Sequence, residues 1–79
     1  MSESYKKAIE ITTAGRTGTF VGFQNGITAQ SVQISGTFIY NSSKVQGAGI
    51  TLGVAGGAIV PINCTKIQPS NHNVLGFMV

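Results

Sequence analysis

Gly56-Gly57-Ala58-Ile59-Val60-Pro61-Ile62-Asn63-Cys64-Thr65-Lys66-Ile67, followed through a polar turn by Val74-Leu75-Gly76-Phe77-Met78-Val79, decides the fold class of this chain. The apolar stretches are short, largely β-branched or aromatic, and punctuated by Gly, Pro and Asn, which suits extended strands and gives helix little support. Pro61 cannot donate to a sheet ladder, so it belongs at a bulge or an edge. The pattern predicts a terminal hairpin of Ala58–Gln68 with Asn73–Val79 across Pro69-Ser70-Asn71-His72. Phe77-Met78-Val79 has no polar tail after it, so this last strand is expected to dock on its own sheet or on a neighbouring subunit.

The upstream sequence repeats the two-residue period. Ile9 and Ile11 alternate with polar neighbours between Tyr5 and Thr12, and Thr13-Ala14-Gly15-Arg16 reads as a turn. Thr17–Gln24 carries Val21 and Phe23 on one face and Phe20 on the other. Asn25-Gly26 then predicts a type I′ hairpin, since both residues tolerate positive φ, with the partner strand starting at Ile27. The apolar parity changes between Ile27/Ala29 and Val32/Ile34, which predicts a bulge or break near Gln30-Ser31. Val32, Ile34, Gly36, Phe38 and Tyr40 share one face of a long strand, with Gly36 at a bend or close backbone approach. Asn41–Lys44 reads as a loop, Ile50-Thr51-Leu52 as a strand, and Gly53–Gly57 as a link. The whole is all-β: a small antiparallel β-sandwich or barrel of about seven short strands. Residues 1–79 form a single β domain, with residues 1–7 available as an N-terminal arm.

A chain of 79 residues has a thin core, and domains of this size commonly add disulfides, a metal or oligomerisation. Cys64 is the only cysteine, and Cys64, His72, Glu3 and Glu10 cannot supply a closed four-ligand site. Oligomerisation remains. Charged residues make up 9% of the chain, which suggests that part of the surface is covered by partners. The net charge of +3 is spread over Lys6, Lys7, Arg16, Lys44 and Lys66 instead of clustering as a nucleic-acid footprint would. No apolar run is long enough to span a membrane, and Met1–Lys7 lacks the apolar stretch of a signal peptide. The expectation is synthesis and use without export, with no membrane partner.

No enzymatic activity and no cofactor are expected. The chain contains no Asp and no Glu beyond Glu10, so a Ser-His-Asp triad has no orienting acid. Cys64 is in phase with Val60 and Ile62 on an apolar face and reads as a small buried hydrophobe, and His72 reads as an exposed turn residue. The Gly47-Ala48-Gly49 and Gly53–Gly57 stretches lack the helix and lysine of a phosphate loop and read as turns. Phe20, Phe23, Phe38 and Tyr40 could serve as a base-stacking platform only if exposed beside clustered Arg16 and Lys44; core packing is the simpler reading, so nucleic acid is not expected as a partner.

Ala58–Ile67, with the Asn73-Val74-Leu75-Gly76-Phe77 segment after its Ser/Asn turn, resembles the ends of small β-rich virion structural proteins of tailed bacteriophages, of the head decoration (cement) or tail spike-base type. The resemblance covers Gly56–Val79, with weaker echoes from Val32 to Leu52. Asn63 and Cys64 stand where a basic residue and a Val would be expected. It implies a non-enzymatic virion component, present in many copies and made in the cytoplasm of the host cell. The favoured reading is a capsid decoration protein on the major capsid protein, as a homotrimer suited to three-fold lattice sites. A tail, neck or spike-base component is the alternative, and a small carbohydrate-binding module is the alternative from another class. The expected assembly contacts are Lys6 and Lys7 in the N-terminal arm, meeting acidic capsid patches, and Leu75, Phe77, Met78 and Val79, adding as a strand to a neighbour's sheet.

Overall fold

The computed structural model of the protein describes residues 7–40 and 43–79, with backbone alone at 39, 40, 43–46 and 48. Its strands are β1 (Lys7–Ile11), β2 (Arg16–Gln24), β3 (Gln30–Tyr40), β4 (Ser43–Val54), β5 (Ile59–Val60), β6 (Cys64–Pro69) and β7 (Val74–Met78). They form one antiparallel sheet in the order β1-β7-β2-β6-β3-β4, and β5 extends the line of β6 along the same edge of β2. The all-β class and the seven strands are as the sequence predicts. The sheet curls, since β1 approaches β6, three places along the order.

Curling wraps one face around a core of Ile11, Phe20, Phe23, Val32, Ile34, Val54, Cys64, Ile67 and Val74. Every strand except β5 contributes to it, and each large apolar side chain buried this way stabilises the fold by about 1.5–3 kcal/mol. Two close approaches require glycine. Gly76 faces the core where a Cβ would lie 2.5 Å from Ile11 Cδ1 and 2.9 Å from Phe20 Cε1. Gly36 has φ +151° and would put a Cβ 3.2 Å from the Cys64 backbone, which is the close approach expected there. Across from it β4 bulges: Ser35 pairs with Gly49 and Thr37 with Gln46. Pro61 falls in the break between β5 and β6, where the Ile62 amide donates to Val60 O at 3.1 Å.

Four local expectations are corrected. Asn25-Gly26 does not turn a hairpin: β2 and β3 are separated by β6, and Ile27, read as the start of the next strand, is 98% exposed in a loop. Of the bulge or break expected near Gln30-Ser31, the structure has the break: the loop ends there and the inward phase of β3 starts at the polar Gln30, in step with Val32 and Ile34. Phe20 and Phe23 both point into the core because a register shift between Phe20 and Gly22 absorbs Val21. Finally, β6 and β7 are not a hairpin, since β2 lies between them, and residues 70–73 are held at the start of β3, by Ser31 O and the Gln30 side chain. The loop expected at Asn41–Lys44 already belongs to β4 from Ser43, while Asn41 and Ser42 lie outside the described residues.

The two misread polar residues hold one end of the molecule together. Asn25 and Gln30 are only 3% and 7% exposed, and buried amides are costly unless bonded. The Asn25 amide group donates to Thr28 O (3.0 Å), Val54 O (3.2 Å) and Ala55 O (3.0 Å). Its Oδ1 accepts from the Gly26 amide at 2.9 Å and from Gln30 Nε2 at 2.7 Å. Gln30 Nε2 also donates to His72 O, and its Oε1 accepts from the amides of Asn71 and His72. One amide pair thus fastens the loop after β2, the end of β4 and the β6–β7 turn to one another.

Candidate assembly surface

β7 is an interior strand. On one side it pairs with β1 (Lys7↔Met78, Ala8↔Phe77, Ile9↔Gly76, Glu10↔Leu75, Ile11↔Val74). On the other it pairs with β2 (Phe20↔Met78, Gly22↔Phe77, Phe23↔Gly76, Gln24↔Leu75). The expectation that Leu75–Val79 adds to a neighbour's sheet is therefore corrected: both edges of β7 are occupied within the chain, and what it offers a partner is a face. Docking on its own sheet is the outcome for the strand.

Directly opposite residues of an antiparallel pair share a face, and this sorts the expected contact residues. Val74 and Gly76 point into the core, and Met78 follows them, half-buried and packed against it. Leu75, Phe77 and Val79 alternate outward. Leu75 is 38% and Val79 60% exposed, while Phe77 is half-buried. Val79 keeps the line of the strand because its amide donates to Thr19 O at 3.3 Å. Ala8 and Gly22 flank Phe77, and Glu10 and Gln24 flank Leu75. Gln24 is in turn opposite Ile59, which is 60% exposed. The result is an apolar stripe along β7 with one satellite, Ile59, on β5.

Lys7 opens β1, exposed and opposite Met78, so the pairing of first and last strands brings the two ends of the expected contact set together. Lys6, with the rest of the arm before it, lies outside the described residues. Beside the stripe a cleft of about 280 Å³ opens between Glu10, Gln24 and Asn73, where Asn73 Nδ2 donates to Glu10 Oε2 at 2.7 Å. A second cavity of about 370 Å³ lies between Thr19, Thr37, Asn63 and Val79. Cys64 borders it from the core; burial pushes its thiol up from 9.0 to about 11, so it stays protonated and unreactive at neutral pH.

Ala8 and Ile59 belong to the stripe but were not singled out from the sequence. Ile59 could have been found by parity, because its neighbour Val60 turns to the core. His72 is exposed in the turn, as expected. Among the described residues no three His, Cys, Asp or Glu side chains gather into a potential metal site. The features that would favour a sugar or nucleic-acid site, Tyr40 beside Asn41 and Lys44 beside Arg16, depend on side chains outside those described. Comparison with protein-family models, curated proteins and solved structures finds no match for this chain.

Proposed function

We propose that this protein is a virion structural protein of a tailed bacteriophage, and specifically a decoration protein that binds the assembled capsid through the major capsid protein. The observation that carries the reading is the stripe of Leu75, Phe77 and Val79 on a strand whose edges are already sealed. An outward apolar stripe next to polar residues is what a docking face requires. The resemblance of the C-terminal third to such proteins supplies the kind of partner. A protein that binds the assembled lattice and not free subunits stabilises the shell by mass action, and needs no catalytic group to do so. Lys7 is opposite Met78 and so lies on the side away from the stripe, which leaves the apolar stripe itself as the proposed docking face.

The test is to separate virions of the encoding phage into heads and tails and to quantify the chain in each by mass spectrometry. Recovery at lattice stoichiometry with heads is expected. Recovery with tails moves the protein to the tail, neck or spike-base reading, and absence from particles overturns the virion assignment.

A further inference from the structure

The two ends of the sheet order differ in a way that selects a partner. β1 is a short edge strand that carries Lys7 and Glu10 within five residues, the usual protection against edge-to-edge pairing. β4 is an edge of twelve residues with no charge and no Pro from Val45 to Val54. Among the described residues nothing pairs with its outer side. A Cβ placed at Gly53 would meet nothing within 4 Å. The usable part of this edge has natural limits. The bulge at Gly47-Ala48 closes it at one end, and the carbonyls of Val54 and Ala55 are taken by Asn25 at the other.

Between those limits lies Gly49-Ile50-Thr51-Leu52-Gly53, which reads nearly the same in both directions about Thr51. We propose that β4 pairs with β4 of a second copy of this chain, antiparallel about a two-fold axis through Thr51, joining two sheets into one. A two-fold interface must be self-complementary, residue i meeting j while j meets i. Centred on Thr51, the pairing sets Ile50 against Leu52, Gly49 against Gly53 and Thr51 against its own copy. Ile50 and Leu52 are half-buried on the core side, so the two cores become continuous, while exposed Thr51 and the glycines meet on the outer side. No like charges are opposed: Lys44 is seven residues from the axis, so the two Lys44 positions stand on the order of 45 Å apart at about 3.4 Å per residue, far beyond the Debye length. The inference is independent of the virion reading. A strand pair this short buries less than the ~1,200 Å² of a standard interface, so the dimer is concentration-dependent.

Light scattering across a concentration series tests it. The full chain should move from one to two monomer masses as concentration rises. Thr51→Lys and Thr51→Glu each put like charges on the axis at an exposed site, and each should weaken association about tenfold or more. An equimolar mixture of the two should restore it, which no loss of fold could do. A wild-type chain that stays monomeric or forms a trimer overturns the proposal, and so do charge variants that associate like wild type or a mixture that does not recover.

Discussion

The outer face of the sheet has two halves. Over β1, β7, β2 and β5 it presents Ala8, Leu75, Phe77, Val79 and Ile59, with Glu10 and Gln24 on either side of Leu75. Over β6, β3 and β4 it presents Lys66, Gln68, Ser31, Gln33, Ser35, Thr51 and the glycines Gly49 and Gly53. Both halves cover the same core with inward aliphatic and aromatic residues, so the contrast owes nothing to folding. β3 alternates as a one-sided strand should, with Val32 and Ile34 inside and Ser31, Gln33 and Ser35 outside. β7 is apolar on both faces. A strand that keeps apolar residues on the side water could have does so for something other than its own sheet.

The largest effect should come from severing the two halves where Asn25 joins them. Asn25→Leu strands the buried carbonyl of Val54, removes the part-buried bonds to Thr28 and Ala55, and leaves Gln30 Nε2 with His72 O as its one remaining acceptor; a buried orphan costs about 1–3 kcal/mol. The variant should be mostly unfolded by circular dichroism at 25 °C, and a cooperative transition within a few degrees of wild type would show that the amide pair is dispensable. Next come the glycines. Gly76→Ala in the apolar half pushes a methyl into Ile11 and Phe20 and should lose about 1–3 kcal/mol in urea unfolding. Gly53→Ala in the polar half meets open space and should change stability by less than about 1 kcal/mol. Equal losses would mean that the close approach of Gly76 to Ile11 and Phe20 does not hold. The smallest effect on stability, and the most direct on function, belongs to the surface. Leu75→Ser with Val79→Ser should cost less than about 2 kcal/mol in total, because both side chains are already partly in water. If the proposed docking on the capsid holds, it should cut that attachment tenfold or more, as about 1.4 kcal/mol of lost contact is enough for that. Gln33→Ser with Gln68→Ser should leave attachment unchanged. If both pairs weaken it equally, the stripe is not the docking face.

The sequence made some of this legible and hid the rest for definable reasons. Val32 and Ile34 announce their face because alternation is a local property, and the strands themselves could be read the same way. The outward set of Leu75, Phe77 and Val79 was visible too, though not separated from Met78, because a strand apolar on both faces does not say which face is inside. Asn25-Gly26 misled because the hairpin preference of that dipeptide is local, whereas the partners that fix Asn25 are 29 and 30 residues away at Val54 and Ala55. Phe20 was assigned to the wrong face because one extra residue at Val21 reverses parity without a mark in composition. The near-palindrome about Thr51 was present from the start, but it has meaning only once β4 is known to be an edge.

The position of β7 also bears on how the protein is made. The seventh strand to be synthesised fills the slot between the first and second, so β1 and β2 leave the ribosome well before the strand that lies between them, with Gln24 ending β2 and Val74 opening β7. Nucleation on the β3–β4 hairpin can begin during translation, but the sheet closes only after β7 emerges. A nascent chain stalled short of Val74 would therefore expose the slot as two unpaired strand edges, a target for quality control or for another chain's β7.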